Sequence, residues 1–334
     1  MTKRDVTRGQ TPGHESPRHV PTPDRQREPR VGGRWAEASF ERDTAARDTS
    51  RGQTPGRVLF VPVPDPFDFA LSTERFRAFG ADPVNVWDEG TLYRVLDETE
   101  VAIAPAPGGV VVAPPAPRLA GRVLRFLGGA FDLDSLARFA ATSDPVLDRI
   151  QASLRGLRPV LVPDPLEMLV GSITAQQVSL HAATAIRARL VRRLGVRGRH
   201  AHAFPSRERL ATASPDDLTA LGFSRRKAHS VLALARSDLD LHALAALPDE
   251  EVAARLTSLP GLGRWTADWF LARHLGRPHA WPAGDLGLRK AVAAFYGLEP
   301  DASEKQVRAF GERFGAHRNL ATHYLLVALR VLAR

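Results

Sequence analysis

Asp285 stands in the run Pro282-Ala283-Gly284-Asp285-Leu286-Gly287-Leu288, 22 residues beyond the glycine turn Leu259-Pro260-Gly261-Leu262-Gly263. A carboxylate can stabilise positive charge developing on a reacting carbon and can orient or deprotonate water. Gly261 and Gly263 allow a tight turn and close approach to a phosphate. The helix that starts at Arg264 would offer free N–H groups with a favourable dipole. The pair therefore suits a substrate held by its phosphate and attacked near a carboxylate. Each half also has an ordinary explanation: glycine turns join many helix pairs, and an Asp at a helix start is most often an N-cap.

Between turn and Asp lies Arg264-Trp265-Thr266-Ala267-Asp268-Trp269-Phe270. Trp265 and Trp269 are four apart, on one helical face, which is ordinary core spacing. Gln176 and Gln177 close the helical pattern PLEMLVGSITAQQ, and Ser179 is placed to cap LHAATAIRARLVRRLG. Ser214-Pro215-Asp216-Asp217 and Ser303-Glu304-Lys305-Gln306 fit capping boxes. Beyond Asp132 nearly every segment is helical with short connections, so residues 132–334 read as an all-α bundle. Residues 57–131 read as a small α/β domain with an antiparallel sheet. RVLFVPV and NVWDEGTLYRVLD are β-type runs, LSTERFRAFG reads as a helix, and EVAIAPAPGGVVVAPP reads as a hairpin about Gly108-Gly109. Residues 1–56, rich in Arg, Pro, Thr, Gly and Asp and carrying RGQTPG twice, are expected to be a disordered tail that could add weak attraction to DNA.

The fold class is thus α+β. The chain has no cysteine, which excludes disulfides, an iron–sulfur cluster and a cysteine nucleophile. No apolar run reaches the length of a membrane span, and the N-terminus carries no secretory pattern, so a cytoplasmic protein without a membrane partner is expected. The net charge is +9, and residues 151–334 alone carry 26 basic against 16 acidic groups. The excess therefore lies in the half that holds the glycine turn, as phosphate binding requires. No His spacing suits a metal; His317 and His323, six apart, read as ordinary partly buried histidines.

LPGLGRWTADWFLARHLG followed by AWPAGDLGLRKAV resembles the helix-hairpin-helix DNA glycosylase superfamily, and within it the DNA-3-methyladenine glycosylase II branch that repairs alkylated DNA. The likeness continues through DPLEMLVGSITAQQVSLHAATAIRARLVRRLG and LTALGFSRRKAHSVLALA and covers roughly residues 60–330. It implies a helical glycosylase bundle, with Asp285 as the catalytic carboxylate. Gly261, Gly263, Arg264 and Thr266 would belong to the phosphate-gripping hairpin, whose carbonyls usually also bind a monovalent cation. Gln176 and Gln177 would lie at the turn that meets DNA, with Gln177 as the wedge filling the gap left by a flipped nucleotide. Trp265, Trp269 and Leu326 would line the base pocket. Trp265 stands where bifunctional 8-oxoguanine glycosylases carry a Schiff-base Lys, so the resemblance implies a monofunctional enzyme using water.

Leu326 replaces a frequent Trp, Gln177 replaces Leu, and Phe314-Gly315-Ala316-His317-Arg318 replaces the usual W-x-P-[YW]-R. The expected activity is hydrolysis of the N-glycosidic bond of a flipped alkylated purine, by a monomer on double-stranded DNA containing damaged bases, with no cofactor. Two alternatives are a same-fold glycosylase for hypoxanthine, uracil or an etheno base, and a non-catalytic damage-binding module.

Overall fold

The computed structural model describes Val58–Leu332; the expected tail over residues 1–56 lies outside these residues. Strands β1 (Leu59–Pro62), β2 (Val86–Asp88), β3 (Thr91–Leu96), β4 (Thr99–Ala106) and β5 (Gly109–Ala113) form one antiparallel sheet in the order β1-β5-β4-β3-β2. The run NVWDEGTLYRVLD is two strands rather than one. It turns back at Glu89-Gly90, where both residues have positive φ (42° and 81°). The next turn, Asp97-Glu98, has φ of 44° and 62°. Two consecutive positive φ values give the tight reversal that matches strand twist. The hairpin about Gly108-Gly109 forms as expected.

LSTERFRAFG does not make one helix but two short turns, Phe69–Ser72 and Arg75–Ala78. The first is capped by Asp68. Behind the sheet, Val61, Leu92, Ile103, Val110, Val112, Val123 and Phe126 form a core against the helix Ala120–Phe126.

The remaining described chain is helical and builds two further apolar clusters. One gathers the helices Pro165–Ala175, Arg225–Arg236, Asp249–Thr257 and Arg264–Phe270. The other gathers Leu133–Ser143, Pro145–Ser153, Leu286–Tyr296 and Arg318–Val331. Leu326 packs against both. The helix starts form as their residues dictate: capping boxes at Ser214 and Ser303, and a Ser179 cap on Leu180–Leu194.

Arg158, 2% exposed, ties the sheet side to the bundle. Its guanidinium donates to the carbonyls of Pro64, Gly128, Asp65 and Phe131. Buried charge is tolerated only when its donors are met in this way.

Candidate active site

The turn between Asp249–Thr257 and Arg264–Phe270 is the hairpin. Gly261 has φ of 81°, and a Cβ there would overlap Ser230 Oγ. The residue is glycine for two independent reasons, conformation and space. Within the turn the Leu262 N–H is spent on Leu259 O, and the Thr266 and Ala267 N–H groups on Gly263 O. The N–H groups of Gly261, Gly263, Arg264 and Trp265 have no backbone acceptor among the described residues. They form a small donor array at a helix start, the arrangement that accepts a phosphate.

Gln176 closes Pro165–Ala175 and reaches across to the hairpin, its Nε2 donating to Gly261 O at 3.0 Å and lying 3.4 Å from Thr266 Oγ1. It therefore braces the turn. Gln177 is exposed and held at φ of 54°. Val178 and Leu180 beside it are exposed as well.

Two side chains expected at the DNA contact already have protein partners. Thr266 is only 1% exposed, with its hydroxyl 3.4 Å from Gln176 Nε2 behind the turn. Arg264 has its guanidinium committed to Glu250 at 2.8 Å and to buried Asp268 at 2.8 Å. Those pairs raise its pKa further and leave the backbone N–H as its free donor. Arg308 completes the same cluster at 2.9 Å from Asp268.

Asp285 caps the helix Leu286–Tyr296, Oδ1 accepting from Leu288 N–H at 3.0 Å. Its other oxygen, Oδ2, accepts from both indoles, Trp265 Nε1 at 3.1 Å and Trp269 Nε1 at 3.1 Å. The N-cap reading and the catalytic reading are thus served by different oxygens of one carboxylate. The loop before it is fixed by Trp281, whose indole donates to Val307 O at 2.8 Å and whose ring fills the space where Gly311 would otherwise carry a Cβ. Gly287 leaves room for close packing here: a Cβ would lie 3.0 Å from Asp285 Oδ1 and 3.1 Å from Leu326 Cδ2.

These groups line one open cleft of about 1420 Å³ that takes in the hairpin, Gln176, Gln177, Trp265, Trp269, Asp285 and Leu326. Trp265 and Leu326 are partly buried on its wall. Trp269 is placed differently from the expectation of a stacking wall. It is 4% exposed, and the Arg273 guanidinium lies 4.1 Å from its ring centre, so that face is already covered.

The cleft is also lined by Arg75, Arg273 and Arg330, which sequence reasoning missed, and by His323. His323 is 7% exposed, more buried than expected, and sits edge-on to Trp269 at 6.2 Å. Arg75 comes from a two-turn segment with no motif, and no sequence signal would have brought it beside residues two hundred positions later. The single lysine lining the cleft, Lys227, donates to Thr174 O at 2.9 Å.

Fold and site together place a glycine hairpin with free N–H groups and a carboxylate held by three donors on one cleft. The sequence profile of the HhH-GPD superfamily of base excision DNA repair proteins matches residues 170–316. Over those residues the chain is similar to this superfamily. It is 34% identical over 195 residues to a Mycobacterium tuberculosis probable bifunctional transcriptional activator/DNA repair enzyme AlkA, covering 57% of this chain and 38% of that protein. The chain thus spans well under half the length of that relative. It is 32% identical over 183 residues to Escherichia coli DNA-3-methyladenine glycosylase 2, covering 52% of this chain and 61% of that one. Among solved structures, the 3-methyladenine DNA-glycosylase of Archaeoglobus fulgidus superposes with a TM-score of 0.72 at 28% identity, over 82% of this chain and 99% of that one.

Proposed function

We propose that the chain is a monofunctional DNA glycosylase that hydrolyses the N-glycosidic bond of a damaged base flipped out of duplex DNA. The observation that carries this reading is Asp285 Oδ2, held by two indole N–H groups on the wall of the cleft that also contains the hairpin. A base inside the duplex is unreachable, and extrusion costs about a few kcal/mol, least for a damaged base. The free N–H groups of Gly261, Gly263, Arg264 and Trp265 grip the backbone phosphate beside the extruded nucleotide. Exposed Gln177 enters the gap it leaves.

As the glycosidic bond breaks, positive charge builds at C1′. A carboxylate fixed by three donors needs no reorganisation to meet it, and it orients the attacking water. Trp265 offers no nucleophile, since its N–H is already engaged with Asp285. Lys227, with its ammonium bound to a carbonyl, is not poised as a Schiff-base amine either. Hydrolysis without strand cleavage follows.

Alkylated purines are the substrate class carried over from the relatives named as 3-methyladenine glycosylases. The chain acts as a monomer on double-stranded DNA; no helix among the described residues is long and apolar enough to cross a membrane. Hairpin carbonyls would be the ligands of a monovalent cation, with Gly261 O keeping one lone pair beside its Gln176 bond. The hydrolytic step needs nothing from that ion. The test is release of free base from methylated duplex DNA, with strands breaking only after hot alkali. Strand nicks without alkali would overturn the monofunctional reading, and absence of any released base would overturn the enzyme.

A further inference from the structure

The indole donors and the Asp285 acceptor stand on different segments, and one further helix is attached to both. Trp265 and Trp269 ride on Arg264–Phe270, and Asp285 ends the loop that begins at Trp281. The helix Glu304–Gly311 starts at the Ser303 capping box. On the donor side it supplies Arg308, whose Nη2 donates to Asp268 Oδ2 at 2.9 Å. Asp268 directly precedes Trp269 and is 2% exposed. On the acceptor side it supplies Glu304, packed so closely that a Cβ on Gly284 would lie 3.0 Å from its Oε2. The Trp281 indole bonds Val307 O of the same helix, and Gly311 leaves the room that its ring fills. The same Arg308 nitrogen donates to Glu304 Oε1 at 2.7 Å and so joins the two sides.

A buried carboxylate needs a partner, but Asp268 already has Arg264 one turn earlier on its own helix, with Nε at 2.8 Å. Neutralising that charge does not call for a second guanidinium from 40 positions away. What Arg308 adds is a fixed separation between helices. Directional bonds between charged groups hold position, whereas apolar contact has no preferred direction. The tolerance is narrow. Both indoles lie 3.1 Å from Oδ2, so a slip of about half an ångström in either segment takes them out of hydrogen-bond range.

On the glycosylase reading above, we infer that Arg308 is a positioning residue of the reaction. By tying Asp268 to Glu304 it sets the separation between the indole N–H groups and Asp285. It acts through those residues alone, because its side chain does not line the cleft and meets no substrate there.

The test follows the indole N–H resonances of the isotope-labelled full chain alongside single-turnover base release from methylated duplex DNA. In Arg308→Met the Trp265 and Trp269 signals are expected to shift. The Trp87 signal, from an indole that donates to Thr73 Oγ1 at 3.1 Å, should stay in place. Release should slow by about tenfold with lesion-duplex affinity held within about twofold, and Arg308→Lys should recover part of the rate. A Trp265→Phe/Trp269→Phe background leaves no indole N–H to place, so there Arg308→Met should change the rate by less than about twofold. Equal slowing in both backgrounds overturns the inference, as do Trp265 and Trp269 signals that do not move. Should Arg308→Met fail to fold, Arg308→Lys, whose ammonium cannot repeat the planar guanidinium geometry, is judged by the same signals. No base released by the unaltered chain from any damaged duplex removes the glycosylase reading, and the resonances still decide whether Arg308 places the indoles.

Discussion

The indole N–H of Trp269 donates to Oδ2 of Asp285 across 3.1 Å, sixteen residues away in sequence. Trp265 does the same one helical turn earlier in the chain, also at 3.1 Å. One carboxylate oxygen thus receives two neutral donors while the other caps a helix. Charge-assisted bonds of this kind are stronger than neutral ones and set direction as well as energy. The aromatic helix is a mount for the carboxylate before it is a surface for a base.

If that mount matters, removing one donor should slow the chemistry more than the binding. Trp269→Phe keeps most of the packing and deletes the N–H. A hydrogen bond to a charged group is worth about 1.5–3 kcal/mol, which corresponds to about 10- to 100-fold in rate if it acts only as charge develops. Single-turnover base release and lesion-DNA affinity, measured on the same variant, should separate accordingly. An unchanged release rate would show that the indole contributes packing alone.

The two hairpin glycines should behave differently. Gly261→Ala forces a methyl onto Ser230 Oγ at φ of 81° and should destabilise the fold by about 1–3 kcal/mol. At Gly263 a Cβ meets nothing within 4 Å and φ is −105°, so Ala should be nearly neutral for folding. Any loss of DNA affinity in Gly263→Ala then reports on how closely the backbone approaches the phosphate. Equal melting temperatures for the two variants would refute this assignment.

Gln177 sits in the left-handed region without being glycine. Gln177→Gly relieves that conformation, so stability should hold or rise by up to about 1 kcal/mol. The same change deletes the side chain proposed to fill the gap, so affinity for a lesion duplex should fall. Thermal melts and binding isotherms moving in the same direction would argue against a wedge.

Much of this was legible in the residues, and the misses share a cause. Local rules found the capping boxes, the Gly108-Gly109 hairpin and the Asp285 cap, because a cap or turn depends on neighbours within four residues. Resemblance supplied the Trp265 and Trp269 positions but placed their faces toward a base, whereas Arg273 covers one face of Trp269. NVWDEGTLYRVLD read as one strand because alternation does not register a turn whose only marker is Glu-Gly. A motif gives Arg264 and Thr266 a position on the hairpin, but their side-chain partners, Glu250 and Gln176, come from distant helices. The cleft lining is the extreme case: Arg75, Arg273 and Arg330 come from three segments that share no periodicity.

His274 gives the fold an acid-sensitive term. Burial lowers its pKa from 6.5 to about 4, while its Nδ1–H donates to Val162 O at 2.8 Å. The unfolded chain therefore binds a proton that the folded one refuses between pH 6.5 and 4. The stability is fully present above 6.5 and is lost as pH falls through that window, by about 3 kcal/mol at most. Buried His323 acts in the same direction. His274→Gln keeps a donor and removes the titration, so urea midpoints at pH 7 and pH 5 should lie closer together than in the unaltered chain. An equal or wider spacing would show that this ring is not the source.

The central claim is that Asp285 carries the charge of the reaction. Asp285→Asn can offer only one oxygen to the indoles and the helix cap together, so a stability loss of about 1 kcal/mol is expected and should be checked by melting. The decisive measurement is single-turnover base release by folded Asp285→Asn on a duplex carrying one damaged base, alongside its affinity for that duplex. Retained affinity with release slowed at least about a hundredfold is the predicted result. Release at the unaltered rate would contradict it and move the catalytic charge to another residue.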